Sequence, residues 1–153
     1  MDLNSLICPE RISLNANLKS KKKMLQHIAM LFSKENNEMD QDSIFDALIS
    51  REKLGPTSVG RGIAIPHCRI DGCTKPLCAI VTLEHPIDYD EKDADKVNLI
   101  FSLIVPPESN NKHLEILAFL SKYLMEIEFC ELIRKSKESD LLNKQLIQYV
   151  IKK

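Results

Sequence analysis

Tryptophan is absent from this chain of 153 residues, and glycine is scarce, with four positions. So few glycines cannot build a kinase-type phosphate loop, and no G-x-x-x-x-G-K-[ST] run occurs, which argues against direct use of ATP. No apolar stretch is long enough to span a membrane and the N-terminus carries no apolar h-region. Neither membrane insertion nor a secretory leader is therefore expected, and the chain reads as cytoplasmic. Neither sign of charge dominates: 21 basic residues face 22 acidic ones for a net charge of −1, so nothing suggests a nucleic-acid partner. The basic run Lys19-Ser20-Lys21-Lys22-Lys23 is short and reads as the solvated first turn of a helix. The cysteines, Cys8, Cys68, Cys73, Cys78 and Cys130, form an odd set without a C-x-x-C pair. That argues against a disulfide framework and a zinc ribbon, and they read as reduced thiols. A metal site at His67-Cys68, Cys73 and Cys78 is conceivable, but their gaps match no common zinc spacing. No metal and no cofactor is expected.

What is present is an ordinary globular composition, 44% apolar and 28% charged, long enough for one domain spanning residues 1–153. Arg11-Ile12-Ser13-Leu14 reads as a strand or extended lead-in. A helix follows over about Ser20 to Lys34, with Met24, Leu25, Ile28, Ala29, Leu31 and Phe32 at helical spacing. Asp40 or Asp42 can cap a second helix to about Arg51. Strand patterns occupy Ile63 to Ile65, Leu77 to Leu83 and Asp95 to Val105, with helical patterns over about Ser109 to Leu124, Phe129 to Lys135 and Asp140 to Ile151. Val97 to Val105 is apolar on both parities, the mark of a strand covered on both faces. The fold class is therefore α/β, a central mixed β-sheet flanked by helices on both faces.

The candidate site begins in the run Val59-Gly60-Arg61-Gly62-Ile63-Ala64-Ile65-Pro66-His67. Pro66 lacks the N–H a ladder needs, so it is expected to stop the short strand and aim His67 in one direction. A histidine that merely ends a strand is the plain alternative. In the second helix, Ile44 and Leu48 are followed at the next turn by Arg51, expected on the inward stripe, and Glu52 follows Phe45 in the same way. An arginine there can equally serve the terminal carbonyls and the helix dipole. His113 shares a helix face with Leu117, Leu120 and Leu124, which places a second imidazole on the buried side of a first turn, where a satisfied core histidine is the competing reading. The three could converge at one edge of the sheet.

Arg51-Glu52-Lys53 with Gly55, Thr57 and Gly60, then Gly62 to His67, resembles the phosphohistidine signature of the fructose/mannitol-type IIA proteins of the bacterial phosphoenolpyruvate phosphotransferase system. Leu83, Pro86-Ile87-Asp88, Val97, Leu99, Phe101, Leu103, Val105-Pro106, His113-Leu114 and Leu117 continue it in the family's order and spacing, with residues 51–124 the strongest part. The lead-in, Ile12, Leu14 and Lys21 to Leu31, is most similar to the nitrogen-regulatory branch. The resemblance implies that His67 accepts the phosphoryl group, that His113 supports it and that Arg51 stabilises the phosphate. Glu52 and Thr57 adjoin the motif as further binding positions. Two departures stand out: Cys68 occupies a position usually glycine, and Pro56 and Ser58 occupy positions more often serine and glycine. Cys68 is expected to narrow the approach to His67 and slow transfer.

The residue types suit that chemistry in their own right. A neutral imidazole is a usable nucleophile near neutral pH, and a guanidinium, a second imidazole and a helix start suit an anionic phosphoryl group. The implied function is a phosphohistidine carrier with regulatory output. It would accept phosphate from a histidine-containing phosphocarrier of the HPr or NPr type and control transporters or sensor kinases through its phosphorylation state. The alternative is a sugar-uptake IIA component that passes phosphate to a IIB domain. An apolar collar of Leu54, Val59 and Ile70 is expected to surround His67 and exclude water during docking.

Overall fold

In the computed structural model, which describes residues 2–90 and 95–153, two long antiparallel strands form the centre of a six-stranded mixed sheet. They are β5 (Leu77–Ile87) and β6 (Val97–Val105). β1 (Ile12–Ala16) runs parallel to β5 at one edge. On the other side β3 (Ile63–Ala64) and β4 (His67–Arg69) both run parallel to β6, and β2 (Ser58–Gly60) pairs antiparallel with β3.

The double-sided apolar pattern of β6 has the expected consequence. Leu99, Phe101, Leu103 and Val105 face a core closed by α3 (Lys112–Leu124), α4 (Ile127–Lys135) and α5 (Ser139–Lys152). Ile100 and Ile104 face a second core closed by α1 (Lys21–Ser33) and α2 (Gln41–Lys53). Ser20 caps α1 by accepting from Lys23 N–H, and Asp40, of the two aspartates considered, caps α2 by accepting from Ser43 N–H. Each such cap contributes about 1 kcal/mol.

Several boundaries differ from the sequence reading. β5 runs on to Ile87, because its polar stretch Glu84 to Pro86 falls in a bulge between Thr82, opposite Leu99, and Ile87, where pairing resumes opposite Val97. β6 begins at Val97 rather than Asp95. α3 starts at Lys112, since after Pro106-Pro107 the Ser109 N–H is spent in a turn to the Pro106 carbonyl and Asn111 becomes the N-cap.

The short strand ends before Pro66 as expected, but pairing with β6 resumes directly beyond it. Ile63 pairs with Leu99 and Ala64 with Ile100; His67 then pairs with Leu103, Cys68 with Ile104 and Arg69 with Val105 in unbroken register. Pro66 removes one donor, yet its carbonyl still accepts from Leu103 N–H at 3.0 Å and from Ser102 Oγ at 2.7 Å. β3 and β4 are therefore one extended track with a proline step between them. The side chains keep their alternation across it: His67 and Arg69 take the α3 side and Cys68 the α1–α2 side.

Candidate functional site

His67 is partly buried, and its Nδ1 lies 2.8 Å from the carbonyl oxygen of Ile65. A carbonyl can only accept, so the neutral ring carries its proton on Nδ1 and leaves the Nε2 lone pair unprotonated. Burial, together with the positive charges of Arg51 and His113, outweighs the Ile65 hydrogen bond and Glu52 and holds the pKa of His67 below the ordinary 6.5. The unprotonated, nucleophilic form therefore persists to lower pH than in a free imidazole. Because the unfolded chain protonates first as pH falls, the stability contributed by this group is complete above about 6.5 and declines below it. Phosphorylation rate against pH should accordingly stay flat through neutrality and fall with a midpoint below 6.5; a midpoint above 6.5 would contradict this environment.

The end of α2 supplies the next residues. Ile44, Leu48 and Glu52 form the inward stripe, and Arg51 stands half-buried on its flank, so the inward turn expected for Arg51 belongs to Glu52. Arg51 Nη1 donates to the Gly55 carbonyl at 2.9 Å, which partly realises the helix-end reading. Glu52 is 8% exposed and fully engaged. Its carboxylate accepts from the Thr57 backbone N–H at 3.1 Å and from the Thr57 hydroxyl, and it pairs with Lys21 Nζ at 3.0 Å. Thr57 Oγ1 also meets Tyr89 Oη at 3.0 Å, and Lys21 Nζ sits 4.1 Å from the centroid of the Tyr89 ring. Burial first, then Glu52, pushes the Tyr89 phenol far above its usual value, so it stays protonated. Lys21 is thus not part of a merely solvated basic run. The network pins the segment after α2, and Thr57 O in turn receives Ile65 N–H at 3.0 Å, immediately before the proline step that carries His67.

His113 occupies the first turn of α3 from the opposite face of the sheet. The buried stripe of α3 is Ile116, Leu120, Tyr123 and Leu124, and both His113 and Leu117 are only half-buried. The expected burial of His113 is therefore not found: the helix is rotated so that the imidazole reaches the sheet edge, where it bears electrostatically on His67. Its Nδ1 lies 3.2 Å from Nη2 of Arg69. Asn111, the N-cap, makes no side-chain cap bond, so the positive end of the helix stands open beside the imidazole.

Cys68 does not narrow the approach to His67. It points to the opposite face, packs against the α1–α2 core, and burial raises its thiol pKa to about 12. Of the collar, Leu54 and Val59 are exposed, at 84% and 54%, but Ile70 is buried at 4%. Leu114, which follows His113 in the chain, is also exposed. Arg69, Ser102 and Tyr89 escaped the sequence reading. Arg69 was legible in principle, being two residues beyond His67 and so on the same side of an extended segment.

The family model described as "Phosphoenolpyruvate-dependent sugar phosphotransferase system, EIIA 2" matches residues 5–149. The chain belongs to this EIIA 2 family. A nitrogen regulatory protein of Pseudomonas aeruginosa is 39% identical over 140 residues, covering 92% of this chain and 91% of the relative. A fructose-specific EIIA component of Haloferax volcanii is 31% identical over 150 residues, covering 98% and 94%. The crystal structure of nitrogen regulatory protein IIA-Ntr from Neisseria meningitidis superposes with a TM-score of 0.86 at 28% identity, covering 94% of this chain and 98% of that one. Arg51 comes from one helical layer, His113 from the other and His67 from the sheet edge between them, near enough for the first two to act electrostatically on His67. Glu52 and Thr57 are placed beneath that group, bonded to each other.

Proposed function

We propose that this protein carries a phosphoryl group on Nε2 of His67, accepted from a histidine-containing phosphocarrier, and that its phosphorylation state governs its binding to other proteins. The observation that carries the reading is the Nδ1 hydrogen bond to Ile65 O, which reserves Nε2 for attack within reach of the charge of Arg51 and the imidazole of His113. In the transfer, the Nε2 lone pair attacks phosphorus as the N–P bond to the donor imidazole breaks, and the donor leaves with that electron pair. The Nδ1 proton stays in place, so the ring becomes cationic and the Ile65 carbonyl steadies it. Among the described residues, Arg51 spends one donor on Gly55, and the remaining donors of its fork suit the equatorial oxygens. Leu54, Val59 and Leu114 offer an apolar rim suited to a brief contact at the small end of the interface range.

Similarity to nitrogen regulatory proteins supports a regulatory output, and similarity to a fructose-specific component supports the alternative, transfer onward to a IIB domain in sugar uptake. Incubation with phosphoenolpyruvate, enzyme I and the phosphocarrier should label the protein, and subsequent addition of IIB domains separates the two outputs. No label under these conditions rejects the carrier reading.

Arg51→Lys retains the charge but loses the planar fork that can hold two oxygens together. Transfer should fall about tenfold or more, while the unfolding free energy should move by less than about 1 kcal/mol. Normal transfer, or a loss explained wholly by unfolding, would leave Arg51 as a helix-end residue only.

A further inference from the structure

His67 and Arg69 alternate onto the same side of β4, the side covered by α3. Nη2 of Arg69, an exposed residue, lies 3.2 Å from Nδ1 of His113 and 3.4 Å from the carbonyl oxygen of Asn110, in the turn that leads into α3. A guanidinium has donors and no acceptor, and it does not lose its proton in proteins. Nδ1 of His113 is therefore the acceptor, and the ring proton sits on Nε2. In His67 the arrangement is the reverse: a carbonyl faces Nδ1, the proton sits there and Nε2 is bare. The two imidazoles are thus set in opposite tautomers by two different neighbours, one ring to attack and the other to donate.

We propose that Arg69 is a positioning residue for phosphoryl transfer, holding His113 in the Nε2–H tautomer so that this N–H donates to the phosphoryl oxygens on His67. The inference rests on the carrier reading. Arg69 acts through His113 and need not touch the phosphate. Its contact with Asn110 O serves the same end, because Asn111 supplies no side-chain cap and the entry to α3 is tied to β4 through this guanidinium.

The test is a double-mutant cycle of Arg69→Met and His113→Ala, with transfer rates measured at a fixed concentration of phosphorylated phosphocarrier. It is joined to long-range proton–nitrogen spectra of the histidine rings in the unphosphorylated proteins. Arg69→Met should slow transfer about three- to tenfold in the wild-type background and add nothing once His113 is alanine. In the wild type, His113 should show a protonated Nε2 and a bare Nδ1, with the opposite pattern at His67. In Arg69→Met the two His113 nitrogens should move toward a tautomeric average while those of His67 stay in place. An equal rate loss in both backgrounds would make Arg69 a direct phosphate or docking contact and overturn the proposal. So would an unchanged His113 nitrogen pattern in Arg69→Met. If the wild type accepts no phosphate at all, the carrier reading fails and the role in transfer fails with it, while the nitrogen spectra still decide whether Arg69 sets the tautomer.

Discussion

His67→Ala should take up no acid-labile, base-stable phosphate from the phosphocarrier while remaining folded. The loss should be complete, because no other imidazole among the described residues combines a bare Nε2 with the neighbouring charge of Arg51 and the imidazole of His113. His27 is tied to Ser13 Oγ at 2.9 Å between α1 and β1, and His85 is exposed beside Glu84. His113 is held by Arg69 with the opposite nitrogen protonated. The fold should tolerate the change because β4 pairs with β6 through its backbone, and alanine keeps that pairing with Leu103. What is lost is one hydrogen bond to Ile65 O, a net cost of about 1 kcal/mol. Phosphopeptide mapping and a denaturation curve on the same preparation decide the matter. Undiminished label on a folded His67→Ala protein removes His67 as the acceptor.

The largest loss of stability among the site residues is expected for Glu52→Ala. This substitution removes the acceptor of a buried backbone N–H, that of Thr57, and the partner of Lys21, whose side chain is only about a quarter exposed. Breaking a buried pair from one side typically costs about 3–5 kcal/mol, and the residual access of Lys21 to water places this case near the lower figure. Glu52→Gln keeps one oxygen to accept from the Thr57 backbone N–H but loses the charge opposite Lys21 and the second oxygen that accepts from the Thr57 hydroxyl, so it should cost less than the alanine. Transfer should fall in both variants, since Thr57 O anchors Ile65 N–H directly ahead of the proline step. Urea unfolding of the two variants checks the order. A Glu52→Ala loss below about 1 kcal/mol would mean that the Lys21–Glu52–Thr57–Tyr89 network does not hold the loop.

The two variants separate kinds of residue that the sequence places side by side. Arg51 and Glu52 are neighbours at the end of one helix, and periodicity alone assigned both of them inward. Only Glu52 completes the stripe of Ile44 and Leu48, while Arg51 stays on the flank, where a ligand can reach it. The difference is one helical step, about 100° of rotation, which is finer than an apolar stripe of two residues can resolve. The same limit misplaced His113: Leu120 and Leu124 are buried as read, but the stripe that sets the rotation of α3 includes Ile116 and Tyr123.

Local chemistry decided much of this protein without help from tertiary structure. The double-sided apolar run of β6 required helices on both faces, Ser20 marked one helix start and the Asp40–Asp42 pair a second, and the glycine–proline run isolated His67. These features were legible because each depends on residues adjacent in the chain or on one helical or strand period. Whatever depended on the meeting of distant segments was not. The pairing of Lys21 with Glu52, the seating of Cys68 against the α1–α2 core, and the tautomer set on His113 by Arg69 follow from register across the sheet and from the rotation of packed helices. A sequence pattern states which face a residue takes, whereas only the assembled layers determine which atom of another element lies within hydrogen-bond distance of it.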